Sequence, residues 1–436
     1  MQARHVKRLF WVVLALVGGS AICAANSAFG QEGTPAEKDV SAADTASEAF
    51  FRPAPDLAQK YDADKIFPQG RIFPVSFFGL NLGRDKPEGL TLIGPYGREQ
   101  NVDAAKKFGL KCTYTISLPM KFHEKEPLKL SPDEIRERIR EQVEAVAGHS
   151  EIAWWYLAPE ELRYWRKNEL TYLEVATEAI RQADPLKRPV WMYDPNHRNA
   201  AALARTVKHL DICGKGMYTN YSGQGENRVW VRWTIEQEVK AIELANRSAI
   251  PIAVPEMFHQ PPEEFLSMIP KWVRHDVYLS LMTGAKGILV FSGWRRPKFP
   301  AFDRYFQAYA ECIREINGPL NLGQVFLFGE RRNDIRVRVL HGPAQVATAH
   351  KEPVEFPSVA VLDVAHGKDR YLFLANSSNE PVRVEVQGLP RTTITAENLF
   401  ETGDRQIVGP GQWEQDLESL EIKAFRFEPT LLKQGN

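Results

Sequence analysis

The feature that most restricts this chain is a rhythm. Short apolar runs alternate with stretches of helical spacing from residue 72 to residue 316. The runs fall at 72–80, 89–96, 110–117, 152–158, 189–193, 212–218, 252–256 and 287–294. They are continuously apolar rather than alternating, as strands covered on both faces must be. Between them lie helical patterns with recognisable ends. The pattern over 101–108 stops at Gly109, where a left-handed cap is cheap. Ser131-Pro132-Asp133 opens another helix, continued by Ile135, Ile139, Val143 and Val146. Further helical stretches cover 170–183, 200–209, 233–246, 265–283 and 302–316, and only the first two apolar runs leave little room for one. Eight strands alternating with helices over roughly 250 residues are the size and pattern of a (β/α)8 TIM barrel.

The composition changes after Gly318-Pro319. Short β-prone pieces at 324–328, 335–340, 359–364, 371–375, 382–386 and 421–427 are separated by turn signals, which predicts a C-terminal antiparallel β-sandwich. His366-Gly367 and Ser377-Ser378-Asn379 are the expected hairpin turns. At the other end, Arg4, Lys7 and Arg8 precede an apolar run over 9–18 and the small-residue pattern Ala28-Phe29-Gly30. That run is too short to span a bilayer and has the layout of a secretory leader. The expected division is therefore 1–30 signal peptide, 31–66 flexible linker rich in Ala, Ser, Asp, Glu and Pro, 67–320 catalytic barrel and 321–436 β-sandwich accessory domain. Secreted or periplasmic localisation follows, without stable membrane insertion.

Charge excludes one class of partner. Lys plus Arg equal Asp plus Glu at 55 each, and loss of the three basic leader residues leaves about minus three. Such a balance argues against nucleic acid as the partner. Beyond the leader, Cys112, Cys213 and Cys312 are too few and too scattered for a disulfide framework or a cysteine metal site, and are expected as buried small hydrophobes. No metal-binding, phosphate-loop or dinucleotide motif calls for a cofactor.

Two apolar runs end in acid. Ile152-Ala-Trp-Trp-Tyr-Leu-Ala-Pro leads into Glu160 and Glu161, and Pro251-Ile-Ala-Val-Pro leads into Glu256. Barrels keep their chemistry at the C-terminal ends of their strands. Two carboxyl groups there are the minimum equipment for breaking a glycosidic bond, one protonating the leaving oxygen and the other attacking the anomeric carbon or activating water. Glu160 has a competing explanation as an acid at a helix entrance, and Glu256 as half of a buried ion pair. Glu161, one residue on, should face elsewhere.

Trp155-Tyr-Leu-Ala-Pro-Glu160 resembles the run leading to the acid/base glutamate in the large clan of retaining glycoside hydrolases built on (β/α)8 barrels. The phrases 183–190, Gly216-Met-Tyr218 and Gly284 to Trp294 resemble that clan's later strands. The resemblance implies a carbohydrate substrate, Glu160 as acid/base, Glu256 as nucleophile and Trp294 as a sugar-stacking residue. One position departs from the pattern: Pro159 stands where the clan carries Asn or Asp, and proline offers no side-chain donor or acceptor to a sugar hydroxyl. That departure keeps open a non-catalytic carbohydrate-binding barrel, with a polysaccharide lyase as a third reading. Tyr218 is expected to orient the nucleophile, and Asp194, Asn196, His197 and Arg198 to line the exit of the fifth strand as substrate-binding groups. Arg84, Arg295 and Arg296 follow the first and last strands, which adjoin in a closed barrel, and suit an acidic or otherwise modified glycan.

Overall fold

The computed structural model describes residues 72–120, 122, 128–401 and 403–429. The expected leader and linker lie outside the described residues. No described helix is long and apolar enough to cross a membrane.

The alternation is present. β1 (Val75–Phe77) and β2 (Leu92–Ile93) are joined by turns, and α1 (Glu99–Phe108) ends at Gly109 in the left-handed conformation, φ 64°. β3 (Lys111–Ser117) precedes α2 (Pro132–Glu144), whose Ser131 forms a full capping box with Glu134. β4 (Ile152–Ala158), α3 (Lys167–Ala183), β5 (Val190–Asp194), α4 (Ala200–Val207), β6 (Ile212–Met217) and α5 (Trp230–Leu244) follow. The seventh stave comes in two pieces, β7 (Ile250–Pro251) and β8 (Val254–Pro255). Each piece ends at a proline, which brings no N–H to the ladder. A 3-10 turn (Glu263–Met268), α6 (Ile269–Thr283), β9 (Ile288–Val290), α7 (Phe302–Asn317) and α8 (Leu322–Phe328) complete this part.

β2 to β7 form one parallel run in sequence order, with β8 also on β6. β9 pairs in parallel with β1, and the bridges Ala253–Ile288 and Glu256–Phe291 tie β9 to the seventh stave. Thr91 closes the ring, its N–H donating to the Val75 carbonyl at 3.3 Å while its Oγ1 accepts the Val75 N–H at 2.9 Å. All strand C-termini therefore share one rim. β4 is held hardest: Trp154, Trp155, Tyr156 and Leu157 are all buried, and each aromatic removes about 150–250 Å² from water. Trp155 Nε1 donates to Asp184 at 2.8 Å, and Asp184 also accepts a guanidinium fork from Arg188, which lies over the Trp155 ring.

The C-terminal part is β-rich as expected. One antiparallel sheet runs, in spatial order, Glu330–Arg332, Val359–His366, Asp369–Asn376, Ile422–Pro429, Ile394–Asn398 and Arg405–Val408. A second holds Arg336–His341, Val382–Gln387 and Gln412–Leu417. A separate hairpin, Gln345–Ala347 with Glu355–Pro357, reaches the barrel at α5. Two expectations are corrected. Residues 324–328 are not a strand but most of α8, buried nearly all round between the two parts; such a segment carries no periodicity to distinguish helix from strand. Ser377-Ser378-Asn379 is no hairpin but the crossing from one sheet to the other, pinned by Asn376 Nδ2 donating to the carbonyls of Glu380 and Glu418. His366-Gly367 does turn a hairpin, with Gly367 at φ 61°.

Candidate active site

Glu160 follows β4 by two residues, and its loop is folded by ion pairs and backbone bonds. Glu169 is fully buried and accepts the Arg163 N–H and Nε at 2.6 Å each. Glu161 N–H donates to the Tyr193 carbonyl, and Arg198 donates to the carbonyls of Glu161 and Leu162. Glu161 sits at φ 57° with its side chain turned to the exposed side. Glu160 is left pointing inward. Its Oε1 accepts the Tyr96 hydroxyl at 2.7 Å, while Oε2 is buried with no partner among the described residues. Burial raises its pKa to about 8, opposed by the Tyr96 hydrogen bond and reinforced by Glu161. Such a carboxyl keeps its proton at neutral pH.

Glu256 ends the seventh stave, almost completely buried. Its two oxygens accept backbone N–H groups of the loop after β6, Oε1 from Asn220 at 2.6 Å and Oε2 from Tyr221 at 3.0 Å. Its own carbonyl accepts the Tyr309 hydroxyl from α7. Burial again raises the pKa, here to about 7, while the Tyr221 N–H, the Arg228 guanidinium and the Asn220 N–H favour the ionised form. Backbone donors on both oxygens leave this carboxylate fixed in orientation, the condition for directed attack.

Tyr218, just past β6, lies in electrostatic reach of both. Its hydroxyl is pushed up chiefly by burial, then by Glu160, Glu161 and Glu256 together. The phenol stacks on Tyr193 at 6.4 Å and meets Phe258 and Phe291 edge-on or tilted. Gly216 makes room for this pair, since a Cβ there would stand 2.5 Å from the Tyr193 hydroxyl and 2.9 Å from the Tyr218 ring. Phe78 packs against Tyr96, Tyr193 and Phe291 and completes an aromatic floor joining β1, β2, β5, β6 and β9.

The other residues expected from the sequence have different situations. Asp194 and Arg198 are buried against each other, Asp194 also accepting the Thr206 hydroxyl at 3.1 Å. Burial lifts Asp194 to about 6 against the pull of Arg198. Together they brace the loop that carries Glu160. Asn196 reaches Ser222 in the loop after β6 at 2.7 Å, and its carbonyl accepts the buried Lys215 ammonium. His197 is exposed beside them. Trp294 lies edge-on to Phe291 and against Gly79, whose left-handed turn (φ 67°) has no space for a side chain: a Cβ would come 2.3 Å from the indole. Arg84 and Arg295 both pair with Asp85, and Arg295 also with Asp303. Arg296 stacks on Trp294 at 4.9 Å, donates to the Ser292 hydroxyl, and among the described residues has no carboxylate at ion-pair distance and a buried Nη1 without a partner.

Several groups escaped the sequence reading. Tyr96 is the sole protein partner of Glu160 among the described residues, and its signal was available: it closes the second apolar run as Glu160 and Glu256 follow theirs. Asp276, beside His275 in α6 and the acid of that helix, was the other visible signal. Asn220 and Tyr221 act through backbone N–H groups, which no residue type announces.

No family model and no curated protein matches the sequence. Solved structures do match the fold. A glycoside hydrolase is similar at TM-score 0.53 and 12% identity, covering 82% of this chain and 93% of its own. An Anoxybacillus α-amylase gives 0.52 and 11%, covering 84% and 99%. A maltogenic α-amylase from Thermotoga neapolitana gives 0.51 and 12%, covering 82% and 99%. The fold is thus the (β/α)8 barrel with C-terminal antiparallel sheets that these glycoside hydrolases share. The likeness is one of architecture, and the chemistry rests on the residues above.

Proposed function

We propose that this chain is a secreted glycoside hydrolase that cleaves glycosidic bonds with retention, Glu160 serving as acid and then base while Glu256 forms the glycosyl intermediate. The observation that carries the proposal is the pair of carboxyl groups at the ends of β4 and the seventh stave, Glu160 half-buried and Glu256 buried, both in electrostatic reach of the Tyr218 phenol and differently hydrogen-bonded. Glu160, with one oxygen unpartnered and its proton retained to about pH 8, is suited to protonate a leaving oxygen. Glu256, oriented through two backbone N–H groups and ionising near 7, is suited to attack. Pairs of titratable groups driven to different acidities divide acid and nucleophile in this way. Tyr218, within electrostatic reach of both, is the orienting group in this reading. Arg296 supports a glycan with an anionic substituent, since a half-buried guanidinium without a carboxylate partner among the described residues is completed by one from the substrate. Arg84 and Arg295 are already paired and leave that role to Arg296.

The test is turnover by the full chain on a panel of neutral, uronate and sulfated glycans, with Glu160→Gln and Glu256→Gln beside it and the product anomer read by NMR. Loss of turnover in both variants with retained fold and retained anomeric configuration is the expected result. Inverted product sinks the double displacement. Glycan binding without turnover, unchanged in both variants, would instead establish the non-catalytic barrel that Pro159 brought into view.

A further inference from the structure

Behind Glu256 lies a second polar layer that the proposed reaction does not itself use. Arg228, in the loop before α5, is fully buried and holds Asp276 of α6 in a fork, Nε to Oδ1 at 2.8 Å and Nη2 to Oδ2 at 2.5 Å. Its remaining arm, Nη1, donates to Asn220 Oδ1 at 2.8 Å, and the Asn220 backbone N–H is the donor to Glu256 Oε1. One guanidinium thus grips both a buried acid and the residue that holds the carboxylate. Asp276 is fixed in turn. Thr219 donates to its Oδ2 at 3.1 Å, and His275 Nδ1 lies 3.1 Å from Oδ1. Since an ionised carboxylate only accepts, His275 must carry its proton on Nδ1. Burial holds that imidazole neutral, so its Nε2 accepts from the Ser377 hydroxyl, 3.1 Å away in the sheet-crossing segment of the C-terminal part.

We propose that Arg228 is the positioning residue of this site, orienting Glu256 through Asn220 and balancing it electrostatically against Asp276, with the pair anchored from the C-terminal sheets by His275 and Ser377. The inference rests on Glu256 being the working carboxylate of the proposed reaction. Among the described residues the charged and titratable groups acting on Glu256 are Arg228 from the loop, Asp276 from α6, Tyr218 just past β6, and Tyr305 and Tyr309 from α7. Arg228 is the cation among them. It draws Glu256 toward its ionised form while Asp276 does the reverse. Removing either partner should therefore move Glu256 in opposite directions. A merely structural pair would instead give the same response, loosening, on both sides.

The experiment titrates Glu256 directly. The carboxyl carbons of glutamate are labelled with ¹³C in the full chain, and Glu256 is assigned by its disappearance in Glu256→Gln. In Arg228→Gln the Glu256 transition is expected to rise by about 1 pH unit or more, and in Asp276→Asn to fall. Arg228→Lys keeps the charge without the fork and should restore most of the acidity but not the orientation, lowering kcat more than it raises KM. Shifts of the same sign in Arg228→Gln and Asp276→Asn, or none in either, overturn the proposal. Should Arg228→Gln fail to fold, the sign of the Asp276→Asn shift alone decides. The titration needs no substrate. Opposite shifts in a protein that hydrolyses nothing would retain the pair and remove the hydrolase, whereas hydrolysis with an unmoved Glu256 would do the reverse.

Discussion

The exits of β4 and of the seventh stave look alike in the sequence and differ in the folded chain. Each is an apolar run closed by Pro-Glu. At the first, among the described residues, the carboxyl meets a single phenol and leaves one oxygen buried and unpartnered. At the second, both oxygens are taken by backbone N–H groups and a guanidinium stands behind them. Burial alone would drive both acids the same way, and it does raise both. What separates them is donor count: a carboxylate given two fixed donors and a nearby cation is the easier one to ionise. Acidity is thus assigned by the loops that receive each side chain, not by the strands that deliver them.

The largest expected effect comes from removing the better-supported carboxylate. Glu256→Gln should reduce turnover on the order of 10⁴-fold or more with circular dichroism unchanged, and a milder loss would mean the two exits are not divided as described. Glu160→Gln should cost about 10²–10⁴-fold on natural glycans but far less on aryl glycosides whose leaving group needs no proton. Equal losses on both substrates would erase the distinction. The same variant tests the burial. The Glu160 carboxyl ionises near its ordinary value when unfolded and near 8 when folded, so rising pH through that window draws the proton off the unfolded chain first and stability falls. Glu160→Gln should therefore be more stable than the parent at pH 9 and lose that advantage below pH 4, as read from urea midpoints.

A smaller change sharpens the comparison. kcat/KM should follow a narrow bell, its acid limb near 7 from Glu256 and its basic limb near 8 from Glu160. The Tyr96 hydrogen bond lowers the pKa of Glu160, so Tyr96→Phe should move the basic limb upward by up to about 1 pH unit and leave the acid limb in place. Movement of both limbs would mean the two acids share one environment. The smallest effect belongs to Ser377→Ala, which deletes one buried hydrogen bond to His275. A loss of about 1 kcal/mol, measured as a lower denaturation midpoint, is expected.

Much of the barrel was legible because continuous burial of a strand leaves an uninterrupted apolar run and helix caps leave Gly109 and Ser131. The positions of the two acids were legible for the same reason, since each closes an uninterrupted apolar run. α8 was illegible because a helix buried on nearly every side loses its period. The Asp194–Arg198 pair was conspicuous as polar residues at a strand exit, yet its burial is knowable only from the fold, which turns the two toward each other. Arg228 and Asp276 stand 48 positions apart along the chain, and nothing local marks them as partners.

The hairpin Gln345–Ala347 with Glu355–Pro357 has a practical consequence. Its Val346 and Phe356 cluster with Val229, Trp230 and Trp233, His350 packs on the two stacked indoles, and the Ala349 N–H reaches Gln224 only four residues before Arg228. A gene trimmed after residue 320 would uncover that tryptophan face at the start of α5, directly after the loop that steadies Glu256. The barrel is accordingly not a detachable cassette, and domain-shuffling with this protein has to move both halves as one piece.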